Sequence, residues 1–129
     1  MKEKFFPTGA AVALIDPESR LLLLKRAPES RWMPDKWGLP GGKIEEGETP
    51  ILVATRETLE ETSLEINSLK MILVDEVVAI YFSNTYAGNL AIDSEHTDVK
   101  WVSEKDLPNY DTVPRIKEIY QLAVKHAKK

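Results

Sequence analysis

Glu57, Glu60 and Glu61 stand three and four residues apart in the chain. That spacing puts side chains on one helix face with Cβ atoms roughly 5–6 Å apart. Carboxylates so close raise one another's pKa unless something cationic sits among them. Hard divalent cations such as Mg²⁺ take several carboxylate oxygens together with waters and substrate phosphates. The glutamates also belong to a longer pattern, Gly42-x5-Glu48-x7-Arg56-Glu57-x2-Glu60-Glu61-x2-Leu64. A solvated acidic helix face accounts for the three glutamates but not for Gly42, Glu48 and Arg56 at their offsets. At residue frequencies of about 5–7%, six such positions coincide in a chain of this size with probability on the order of 10⁻⁵. The pattern therefore reads as a metal platform for phosphate chemistry.

The segment GKIEEGETPILVATRETLEETSL, 23 residues from Gly42 to Leu64, resembles the Nudix box, the signature of hydrolases acting on a nucleoside diphosphate linked to another moiety. Every acid and the arginine of that signature are present. Two positions depart from it: Thr58 stands where an aliphatic residue is usual and Ser63 where the family has glycine. The resemblance implies that Glu57, Glu60 and Glu61 bind Mg²⁺, for which Mn²⁺ can substitute, together with the carbonyl of Gly41. Arg56 could pair with Glu60 on the helix surface; by resemblance it instead orients Glu48 and Glu57. Glu48, Arg56, Glu57 and Glu60 are thus the catalytic candidates, and the identity of the general base stays open. A further ligand in this family comes from a later loop, a few residues before a tryptophan. Glu95 of the segment Glu95–Trp101 is the first choice, with Asp93 and Asp98 as rivals and His96 as a loop residue or hydrogen-bond partner.

These residues have to be positioned by a fold. A chain of 129 residues fits one domain, 1–129, with a real core. It has 43% hydrophobic and 29% charged residues, ordinary for a globular protein, and no cysteine, which excludes disulfides, thiolate zinc sites and cysteine nucleophiles. The net charge of −4 argues against a nucleic-acid polymer as partner. Near the N-terminus, MKEKFFPTGAAVALI has basic residues before an apolar run, but Pro7 interrupts it and it reads as a first strand rather than a signal peptide. No apolar run approaches the ~20 residues that span a bilayer, so no membrane association and a cytoplasmic location are expected.

Strands are expected at 8–15 and 21–26, at 66–74 and 77–83, and near 99–102, with a loop over 27–36 and a turn over 84–89. Thr49 suits a helix N-cap and Pro50 its first position, and the helix should run to Thr62. Leu52, Thr55 and Leu59, with Ile51, form the face opposite the acids and are expected to dock on a sheet. Val113, Ile116, Ile119, Tyr120 and Val124 have helical spacing and predict a C-terminal amphipathic helix, with Asp111 or Thr112 as its N-cap. Strands interleaved with helices predict an α/β fold. The resemblance implies an α/β/α sandwich, a mixed curved sheet flanked by the box helix and the C-terminal helix, and allows a homodimer.

For substrate contacts the candidates are Arg26 and Arg31 for phosphates, Trp37 for base stacking, Asp111 for the base edge, and Tyr81, where diadenosine polyphosphate hydrolases of the family often have tyrosine. The compact length most resembles nucleoside triphosphate pyrophosphohydrolases. The reading is Mg²⁺-dependent hydrolysis of a (deoxy)nucleoside triphosphate to monophosphate and pyrophosphate, by water attack at a bridging phosphorus. Diadenosine polyphosphate or nucleotide-sugar hydrolysis is the alternative, and a non-catalytic nucleotide sensor the alternative of another class.

Overall fold

Period-two alternation in three apolar strands builds two cores, one on each face of the sheet layer. The computed structural model describes residues 7–128. Strands β1 (Gly9–Leu14) and β2 (Leu21–Arg26) match the expected runs, followed by the short β3 (Trp37–Gly38) and β4 (Gly41–Lys43). The helix α1 (Pro50–Thr62) leads to β5 (Glu65–Ile66), β6 (Lys70–Val74), β7 (Val78–Ser83), β8 (Tyr86–Ala87), β9 (His96–Val102) and α2 (Ile116–Ala127). The start of the N-terminal segment, residues 1–6, lies outside the described residues.

A mixed four-stranded sheet has the order β4-β1-β7-β6, with β1 and β7 parallel and the other pairs antiparallel. An antiparallel sheet β3-β2-β9 lies beside it, and β5 pairs with β8. The sheet layer is thus divided rather than one continuous surface. Val12, Leu14, Leu22, Leu24, Ala79 and Tyr81 pack with Val53 and Ala54 of α1, while Ala13, Ile15, Leu21, Leu23, Ile80 and Phe82 pack with Ile116, Ile119 and Tyr120 of α2. Strands covered on both faces read as near-continuous apolar runs, which is why LLLL occupies 21–24. Among the described residues no helix is long and apolar enough to cross a membrane.

Three sequence expectations change here. The run 66–74 is split by Asn67–Leu69 into β5 and β6, and the 84–89 turn holds β8, which pairs with β5. Residues 111–113 do not cap α2: Trp37 N–H donates to Asp111 O and Val113 N–H to Trp37 O, so this segment runs extended beside β3. The N-cap is Arg115, at φ 73°, whose guanidinium pairs with Asp75 at 2.6 Å and Glu118 at 3.1 Å.

The third concerns α1. Its ends are as expected: Thr49 Oγ1 accepts from Leu52 N–H, Pro50 opens the helix, and Ser63 closes it in the left-handed region at φ 66°. Its orientation is not. Ile51, Leu52 and Leu59 remain 48%, 51% and 45% exposed, while Val53, Ala54, Thr58, Glu61 and Thr62 face inward. The helix is rotated so that Glu61 points into the protein and the apolar stripe points to water.

Thr58 is fully buried, and its hydroxyl has no hydrogen-bond partner among the described residues. A buried unpaired hydroxyl carries its desolvation cost without return. Thr58→Val keeps the shape and β-branching and removes that oxygen. We expect it to raise unfolding stability by about 1 kcal/mol, measured as a shifted denaturant midpoint at unchanged m-value.

Candidate active site

The site is assembled where α1 crosses β4. Gly41 and Gly42 pair with Ala11 and Ala10 of β1; Gly41 has no room for a side chain against β1, and the bare Cα of Gly42 lets Glu57 come down onto the strand. A Cβ on Gly42 would lie 2.5 Å from the Glu57 carboxyl carbon and 2.8 Å from one of its oxygens. The Gly41 N–H donates to Glu61 Oε1 at 3.0 Å.

Arg56 is the hub of the box. Its Nη2 lies 2.7 Å from Glu48, and its Nη1 lies 3.1 Å from Glu57 and 3.5 Å from Glu60. Both sequence readings of Arg56 are therefore realised at once, since a planar guanidinium can serve several carboxylates. Glu48 is held below the usual carboxylate range, first by the Glu45 N–H and then by Arg56.

Glu61 lies in a different environment. It is 5% exposed. Burial, followed by the charges of Glu57 and Asp93, pushes its carboxyl up to about 9 against the opposing Gly41 N–H. One oxygen each from Glu61, Asp93 and Glu95 lie within 4.8 Å of one another, an arrangement that could hold a metal ion. Of the three loop acids weighed from sequence, Asp93 and Glu95 reach this group. Asp98 does not; it sits opposite Lys25 in β9 and accepts from the Val99 N–H. His96, 8% exposed, donates from Nδ1 to Asp93 Oδ1 at 2.8 Å.

The loop is fastened to the helix end. Ala91 N–H donates to Thr62 O at 2.9 Å, and Ser63 Oγ donates to Ala91 O at 3.3 Å. Ser63 thus offsets part of its left-handed backbone cost with a bond glycine could not make. The acids on either side of this clasp are Glu61 and Asp93.

Beside the acids lies a cleft of about 370 Å³ lined by Arg26, Arg31, Ser30, Glu95 and His96 among others. Arg26 donates to Trp32 O at 2.7 Å and Ser30 Oγ at 2.8 Å, with its guanidinium 5.0 Å from the Trp32 ring centroid. The other substrate candidates are elsewhere. Trp37 packs edge-on against Tyr110 at 5.1 Å, and Asp111 pairs with Lys36 at 2.9 Å; neither lines the cleft. Tyr81 is 6% exposed in the α1-side core, because its position on β7 points inward with Ala79, so it presents no free face to a ligand.

A family model for the NUDIX domain matches residues 5–123. The chain belongs to the NUDIX domain family. This Nudix hydrolase is accordingly a pyrophosphohydrolase, an enzyme acting on phosphoanhydrides. It is 29% identical over 121 residues to a Bacillus subtilis (strain 168) protein provisionally named an 8-oxo-dGTP diphosphatase, covering 88% of this chain and 78% of that one. A MutT-like protein of Streptomyces ambofaciens is 28% identical over 127 residues, covering 88% and 71%. In fold it is similar to the MutT Nudix hydrolase of Burkholderia pseudomallei, with a TM-score of 0.78 at 22% identity, covering 91% of this chain and 98% of that one. It is also similar to the Nudix domain of Shewanella oneidensis NrtR complexed with ADP ribose, at TM-score 0.77 and 18% identity, covering 97% and 90%.

Proposed function

We propose that this Nudix hydrolase converts a (deoxy)nucleoside triphosphate to monophosphate and pyrophosphate with Mg²⁺, by water attack at a bridging phosphorus. The observation that carries this reading is the joining of two acid groups at one strand. Arg56 gathers Glu48, Glu57 and Glu60, and Glu61 meets Asp93 and Glu95. A buried carboxyl among other carboxylates calls for a cation, and an all-oxygen donor set suits a hard divalent one.

Glu57, Glu60 and Glu61, the Gly41 carbonyl and Glu95, with Asp93 beside them, would hold the ion. When bound, Mg²⁺ supplies charge neutralisation on the phosphates and a lowered pKa for the attacking water. The protein's own part is orientation. Arg56 fixes Glu57 and Glu60, and Gly41 N–H fixes Glu61. Arg26 and Arg31, which line the cleft beside Glu95, would receive the phosphates. The name of the Bacillus subtilis relative makes an oxidised purine triphosphate the first substrate to try. Tyr81, buried at 6% exposure, lends no support to diadenosine polyphosphates as the substrate.

The test is product release from 8-oxo-dGTP, the ordinary nucleoside triphosphates, diadenosine polyphosphates, nucleotide sugars and ADP-ribose, with Mg²⁺ or EDTA, for wild type and Glu60→Gln. The expected outcome is Mg²⁺-dependent pyrophosphate release from a triphosphate that is lost in the variant. Nucleotide binding without turnover of any substrate would replace the hydrolase reading with the sensor.

A further inference from the structure

We propose that His96 is a positioning residue that holds Asp93 in the metal shell, giving the loop two acidic ligands instead of one. The inference rests on the metal reading above. It starts from a problem of like charges: Asp93 comes within 4.8 Å of carboxylate oxygens of both Glu61 and Glu95, and unaided it would swing away toward water. Each member of the group has an anchor. The Gly41 N–H holds the Glu61 carboxylate at 3.0 Å. The Ala27 N–H holds the backbone of Glu95 through its carbonyl at 3.1 Å. For Asp93 the anchor is the His96 imidazole, at 2.8 Å.

His96 is itself fixed. Its side chain is 5% exposed against 25% for Asp93, and it stands opposite Arg26 where the β2–β9 register shifts. A buried ring on a strand holding a carboxylate on a loop is the arrangement by which outer partners aim metal ligands. Removing such partners typically costs about 10–100-fold in metal affinity.

The experiment measures Mn²⁺ affinity by electron paramagnetic resonance of the free ion, with no substrate present. His96→Ala and His96→Gln should bind Mn²⁺ at least about tenfold more weakly than wild type. His96→Asn, whose amide N–H can stand in for Nδ1–H, should stay close to wild type. Asp93→Asn should reproduce the loss, and adding His96→Ala to it should weaken binding no further. Melting of each metal-free variant is followed alongside; if His96→Ala does not fold, His96→Asn, His96→Gln and Asp93→Asn carry the test. Wild-type affinity in His96→Ala, equal weakness in His96→Asn and His96→Ala, or a full additional loss in the double variant overturns the positioning role. Glu61→Gln separates the two layers. Weakened Mn²⁺ binding in Glu61→Gln with unchanged binding in His96→Ala refutes His96 alone, whereas unchanged binding in Glu61→Gln removes the metal reading and the His96 role with it.

Discussion

Gly42→Ala should fold normally and lose about 100-fold in turnover. The new methyl would sit 2.5–2.8 Å from the Glu57 carboxyl group. No van der Waals contact is that short, so one partner must move, and a glutamate side chain moves more cheaply than a strand. Gly42 is not among the residues at positive φ, so its backbone accepts alanine without strain. The cost therefore falls on Glu57, swung from its place between Gly42 and Arg56. A displacement of about 1 Å at a reacting centre is enough for a 10²-fold loss. The control is Gly41→Ala, whose methyl would meet the Ala10 carbonyl and the Ala11 Cβ, both parts of the central strand. That variant should lose stability as well as activity. Circular dichroism melts beside steady-state kinetics separate the two, and a Gly42→Ala enzyme with wild-type kcat/KM would show that Glu57 has no need to stand on the strand.

Glu61→Gln should raise stability and abolish turnover together. Burial pushes the Glu61 carboxyl up to about 9 in the folded metal-free protein, against 4.5 as its ordinary value. Holding that proton favours the folded state fully below the unfolded pKa. The advantage is lost as pH rises toward the folded pKa, because the unfolded chain ionises freely while the folded one cannot. Between those values the metal-free protein should weaken steadily with pH, by several kcal/mol in all. Glutamine has no proton to lose, so thermal melts in EDTA from pH 5 to 9 should diverge, the variant becoming progressively more stable than wild type. Mg²⁺ should reverse the wild-type trend, since the ion replaces the proton, and its apparent affinity should climb with pH. Parallel melting curves for the two proteins across this range would refute the burial argument.

The contrast between these two acids shows what could be read from sequence. The ends of α1 were legible because capping is local: Thr49, Pro50 and Ser63 each act within one turn. The central strands were legible because LLLL and VAIYF are continuous apolar runs whatever their partners, while their division between two cores appears only in the fold. The rotation of α1 was not, because it depends on β4, where Gly42 leaves room for Glu57 and the Gly41 N–H receives Glu61, with Ile51, Leu52 and Leu59 turned outward. The same holds for Tyr81, whose inward aim follows from its parallel register with Val12. Asp111 reads as a cap from the sequence because its true partner, Trp37, lies 74 positions away in the chain. His96 carries no periodic signal at all; an i,i+3 carboxylate in a polar loop was its one clue.

The clasp between Ala91 and the end of α1 bears on how this enzyme can vary. The backbone that carries Asp93 is tied to the helix by two bonds at Ala91 rather than by the length of chain leading there, and His96 then aims the side chain. Residues added or deleted between β8 and Ala91 leave the helix-to-loop distance to be reset by the same two bonds. The three residues from Ala91 to Asp93 have no such freedom. Diversification of this loop is thereby steered to the short stretch between β8 and Ala91, where the chain can change while the acids keep their spacing.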